Sequence, residues 1–60
     1  MLTESEMKVS ELLLQGLSDK EICKKLNILS NEIANLKRRI FKKHGVSTRY
    51  QFIVKMFNKN

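Results

Sequence analysis

Between Ile28 and Gly45 the chain reads ILSNEIANLKRRIFKKHG, a run whose side chains suit a polyanion. At about 100° per residue, Asn31, Asn35, Arg38 and Lys42 gather on one side of a helix, flanked by Ala34 and Arg39. Amides hydrogen-bond base edges and cations neutralise phosphates, so this face has the chemistry to meet a duplex. Glu32 is the only acid of the run and stands at its N-terminal end, where a helix favours negative charge. The opposite stripe is Ile33, Leu36 and Ile40, with Phe41 and His44 at its edges. A solvated face of an ordinary surface helix has the same look, so the rest of the chain must decide.

Other chemistries lack their residues. One cysteine, Cys23, and one histidine, His44, supply neither an internal disulfide nor the ligands of a zinc site. Cys23 reads as a small apolar filler rather than a reactive thiol, and His44 as structural. No paired carboxylates, Cys/His couple or phosphate-cradling glycine loop is present, so no enzyme, catalytic residue, metal or cofactor is expected. No apolar run approaches the roughly 20 residues that span a bilayer. No signal-like segment opens the chain. Membrane-surface binding is disfavoured because no bulky apolar edge lies free beside the basic face.

Charge is unevenly placed. Residues 1–19 hold one base (Lys8) against four acids (Glu4, Glu6, Glu11, Asp19), or −3. Residues 20–60 hold eleven bases against two acids (Glu21, Glu32), or +9, and the whole is +6. A strongly basic rear points to a polyanion partner.

The elements that would position the basic face are helical. There is no proline, repeat or linker, and helical periodicity recurs throughout, so residues 1–60 read as one small all-α domain. Helices are expected at about 4–15, 19–26, 30–44 and 48–57. Thr3 with Glu6 forms a capping-box pattern, and Leu2 is placed to pack back on it. Val9, Leu12 and Leu13 form the main stripe of the first helix, and Met7 and Leu14 a second that is core or partner surface. Gly16 ends this helix and Gly45 the third, each as the residue that takes a left-handed conformation. Ser18 or Asp19 caps the second helix, where Ile22 and Leu26 face inward and Lys20, Lys24 and Lys25 outward. Ser30 or Asn31 caps the third, and Ser47 or Thr48 the fourth. That last helix carries two apolar stripes, Phe52-Ile53-Met56 and Tyr50-Val54-Phe57. A domain of this size cannot easily bury both, so one is expected to face a second copy.

Two short helices joined by a tight turn, the second basic on its outer face, form a helix-turn-helix layout. Leu2-Thr3, Glu6, Val9, Leu12-Leu13, then GLSDKEI at 16–22, then Leu26, Ile28, Ile33, Ile40, Lys43, Gly45-Val46 and Arg49, make the pattern specific. It resembles the LuxR/GerE-type helix-turn-helix domain over residues 2 to about 53. Region four of bacterial sigma factors shares the LT…EI arrangement, but GVSTR after the third helix favours LuxR/GerE. The resemblance implies four helices, duplex binding through the third, and dimerisation through the fourth. It also implies a bacterial transcription regulator of the cytoplasm, associated with the nucleoid. Such modules stand alone or follow a sensing domain, and a Met directly before Leu2-Thr3 fits either.

Some positions depart from the family. Leu29 stands where Ser is common, and Glu32, Ala34 and Leu36 where Thr, Lys and His are common. Base contacts are therefore expected from Asn31, Ala34, Asn35 and Arg38, with the Ala34 methyl able to meet a thymine. Phosphate contacts are expected from Lys20, Ser30, Arg39, Lys42, Lys43 and Arg49. Lys37 lies near the core flank and is expected to snorkel. The homodimer interface is expected at Tyr50, Ile53, Val54 and Phe57. The alternative function is a protein-interaction module that docks on RNA polymerase or another regulator.

Overall fold

A computed structural model describes residues 2–58; Met1, Lys59 and Asn60, which the one-domain reading also includes, lie outside the described residues. Four helices follow in order: α1 (Glu4–Leu14), α2 (Asp19–Leu26), α3 (Ser30–His44) and α4 (Arg49–Phe57). The described residues hold no strand.

Each start signal is local. Thr3 and Glu6 form a reciprocal capping box at α1: Glu6 N–H donates to Thr3 Oγ1 at 3.2 Å and Thr3 N–H to Glu6 Oε1 at 2.9 Å. Ser18 and Glu21 repeat the device at α2, so the cap is Ser18 and not Asp19. Thr48 caps α4 by accepting from Gln51 N–H at 3.1 Å, while Gln51 Oε1 accepts from Ser47 N–H at 2.8 Å.

The first three stops share one geometry. After α1, Gly16 takes φ +89°, and the N–H groups of Gly16 and Leu17 turn back to the carbonyls of Leu13 and Leu12. After α3, Gly45 takes φ +69°, and Val46 N–H reaches Phe41 O at 2.9 Å. Asn27 does the same after α2 at φ +57°, with Ile28 N–H on Cys23 O. Asn tolerates this region because its short amide causes little crowding there. At each stop the next residue, Leu17, Ile28 or Val46, is apolar and packs against the core.

Val9, Leu12 and Leu13 of α1, Ile22 of α2, Ile33, Leu36 and Ile40 of α3, and Phe52 of α4 are buried together. α3 packs on all three other helices. Phe52 fixes α4 against it: its ring lies 5.7 Å from that of Phe41 and meets His44 edge-on at 5.2 Å. His44 Nδ1 pairs with Ile40 O at 3.0 Å, and Lys55 Nζ donates to the His44 carbonyl, so the structural reading of His44 holds. The second stripe of α1 splits: Leu14 packs against the core and Met7 stays 50% exposed. Cys23 is a free, half-buried thiol beside the core.

Candidate nucleic-acid interface

Because Ile33, Leu36 and Ile40 turn inward, helical geometry forces the residues half a turn away outward. Asn31, Ala34, Asn35, Arg38, Arg39 and Lys42 are all exposed. Over 15 residues α3 is about 22 Å long, and its outer face is narrow enough for a groove about 12 Å wide. Among the described residues Arg38, Arg39 and Lys42 pair with no carboxylate. Arg38 Nη1 donates to Asn35 Oδ1 at 3.4 Å. Beside them a shallow notch has Ala34, Phe41 and Val46 for its apolar lining and Lys37, Arg38 and Lys42 for its rim.

The cap lies one residue before Ser30 and two before Asn31. The N-cap is Leu29, which has no side-chain oxygen, and only its carbonyl serves the helix, accepting from Glu32 and Ile33 N–H at 3.0 and 3.1 Å. Ser30 and Asn31 already have helical backbone and cannot reach back to cap. Leu29 itself is 69% exposed. Ser30 therefore stands in an uncapped first turn, exposed, and Lys20 is exposed on α2.

Two cations of the expected phosphate set have a duty inside the molecule. Lys43 Nζ donates to Glu6 Oε1 at 2.7 Å, and Glu6 is fully buried. The hydrogen bond from Lys43, then that from the Thr3 backbone, holds the Glu6 carboxyl below its ordinary value of 4.5 against the opposing effect of burial. Glu6 Oε2 is buried without a hydrogen-bond partner, so the carboxylate depends on Lys43. Arg49 Nη2 donates to Asp19 Oδ1 at 3.2 Å, and Lys37 Nζ to Asp19 Oδ2 at 2.6 Å. Asp19 thus ties the start of α2 to α3 and α4, two helices it joins with one carboxylate. Lys37, expected to snorkel, is half-buried and its ammonium ends on the Asp19 carboxylate. Glu21, held below 4.5 by the Ser18 backbone and hydroxyl, serves only its own cap.

These two acids were missed as tertiary partners. A signal existed for Glu6, whose helical phase lies beside that of Leu13, seven residues on, and so inside the core stripe. Asp19 offered none, since its partners lie 18 and 30 residues away.

On α4, Tyr50 and Phe57 are 75% and 73% exposed, and Ile53 and Val54 are half-buried. No cluster of His, Cys, Asp or Glu able to hold a metal occurs among the described residues. None of the helices is long and apolar enough to cross a membrane. A family model described as bacterial regulatory proteins, luxR family (GerE), matches residues 1–56. No curated protein and no solved structure matches the chain significantly.

Proposed function

The chain belongs to the LuxR family of bacterial regulatory proteins, and from that premise we propose that it binds duplex DNA as a dimer, with α3 in the major groove. The observation that carries this reading is the exposed outer face of α3, where the amides of Asn31 and Asn35 lead into Arg38, Arg39 and Lys42, cations that pair with no carboxylate among the described residues. Asn31, Ala34, Asn35 and Arg38 meet base edges, and Arg39, Lys42, Ser30 and Lys20 meet phosphates. Lys43 and Arg49, bound to Glu6 and Asp19, serve the phosphate backbone chiefly by holding α3 and α4 in place. Tyr50, Ile53, Val54 and Phe57 pair two copies, which sets two half-sites about one helical turn apart. Such a regulator works in the bacterial cytoplasm, where chromosomal DNA lies.

Met7 beside Glu4 and Glu11 on α1 favours a second role, docking on RNA polymerase or another regulator. Fluorescence titration with a random-sequence duplex at low and high salt separates the two. A DNA binder loses affinity steeply as salt rises, because each neutralised phosphate releases counterions. An adaptor shows little affinity at either salt, and that result overturns the DNA reading.

A further inference from the structure

On the flank of α3 away from the notch of Ala34, Phe41 and Val46, a cavity of about 150 Å³ opens between α1, the end of α2 and the first turns of α3. Its walls are Val9, Leu26, Ile28 and Leu36. Val9 and Leu36 belong to the core, while Leu26 and Ile28, on either side of the left-handed Asn27, are half-buried. Apolar walls around such a volume accommodate a body of about six carbon atoms. Ser5, Lys8 and Glu32, all exposed, form the mouth.

That mouth carries one charge of each sign. The Glu32 carboxylate pairs with no cation among the described residues, although the chain holds twelve bases against six acids. Lys8 Nζ reaches Glu4 Oε2 only at 4.0 Å, the outer limit of an ion pair. Lys8 repels a ligand that carries only an ammonium, and Glu32 one that carries only a carboxylate. A molecule with both charges beside a short apolar body satisfies the walls and the mouth together. A free α-amino acid with an aliphatic side chain has that composition.

We propose that the cavity binds a free apolar α-amino acid about the size of leucine. The side chain lies on Val9, Leu26, Ile28 and Leu36, the ammonium meets Glu32, and the carboxylate meets Lys8. A few polar groups at the rim of an apolar hollow is the usual construction of a small-molecule site. None of these residues is among those assigned to duplex contact. The bound molecule touches α1 and α3 at once, and so braces the start of α3, where no side chain caps the helix.

The test is thermal unfolding of the whole chain by circular dichroism, with calorimetric titration for affinities. The probes are L-leucine, isocaproate (leucine without its amine), isoamylamine (leucine without its carboxylate), glycine and acetyl-leucine-amide. A ligand that binds only the folded chain raises the midpoint. L-Leucine does so and glycine at equal concentration does not. Isocaproate and isoamylamine each bind roughly 2- to 5-fold more weakly than leucine, the scale of one exposed ion pair. Glu32→Gln removes the preference for leucine over isocaproate, and Lys8→Gln removes that over isoamylamine. Ser5→Leu, a change at an exposed position, fills the mouth, leaves the free chain folded and abolishes the leucine shift. The proposal falls if leucine produces no shift, if glycine matches it, or if Ser5→Leu leaves leucine affinity unchanged. Tighter binding of acetyl-leucine-amide, which carries neither charge, would overturn it in favour of a peptide or protein side chain as occupant. No duplex enters these measurements, so their failure leaves the proposed function standing.

Discussion

Lys37 and Lys43 on the inner flanks of α3 each hold a carboxylate from another helix, at 2.6 and 2.7 Å. Arg38 and Lys42, next to them in the chain, have no such partner among the described residues and face solvent. One residue along a helix is about 100° around it, so adjacent cations end in different surroundings. The inward pair is met by Glu6 and Asp19, two of the four acids in residues 1–19. Half of the acidic front thus neutralises the flanks of α3 and leaves the outer face positive, while Glu4 and Glu11 stay exposed on α1.

The deepest break in this contrast is to remove the support common to both regions. Ile40→Ala deletes a fully buried side chain on α3 and is expected to cost about 2–5 kcal/mol, a large part of the stability of so small a domain. Urea unfolding followed by circular dichroism measures it, and a loss below about 0.5 kcal/mol, the scale of a surface change, would contradict the packing described.

A paired substitution sharpens the contrast next. Lys43→Gln leaves the buried Glu6 carboxylate without its cation, so the thermal midpoint should fall clearly. Lys42→Gln should change stability by no more than about 0.5 kcal/mol while lowering the salt slope of duplex binding by about 1. A fall in the salt slope for Lys43→Gln, without loss of stability, would assign Lys43 to the outer set.

The smallest effect is in pH. Glu6 is held below 4.5 in the folded chain, so the unfolded chain binds more protons in the interval between the two values. Stability from the Glu6–Lys43 contact is thus present above 4.5 and is lost as pH falls through the lower folded value. Glu21, displaced in the same direction, adds to the slope. Urea midpoints measured from neutral pH downward should decline below 4.5, and less steeply in Glu6→Gln. Equal slopes in the two chains would show that Glu6 gains nothing from Lys43.

Periodicity and caps were legible because they are local. Val9, Leu12, Leu13, Ile33, Leu36 and Ile40 repeat at helical spacing, and all are buried. Thr3, Ser18 and Thr48 announce helix starts within three residues of the groups they bind. The third helix was the exception, since Ser30 and Asn31 look like caps but the chain turns at Leu29, whose carbonyl alone suffices. Asn27 is marked as a stop only by its observed φ of +57°. Among the candidate site residues, exposure of Asn31, Ala34, Asn35, Arg38, Arg39 and Lys42 followed from helical phase.

By itself the sequence determined four helices, the inward stripes of the first three and the net positive rear, since these depend on residues within a turn or two of one another and on simple counting. Only the tertiary structure decided which cations stay available to a partner. That choice depends on where the chain brings Asp19 and Glu6 relative to α3, and an ion pair forms through space, across 18 residues in one case and 37 in the other.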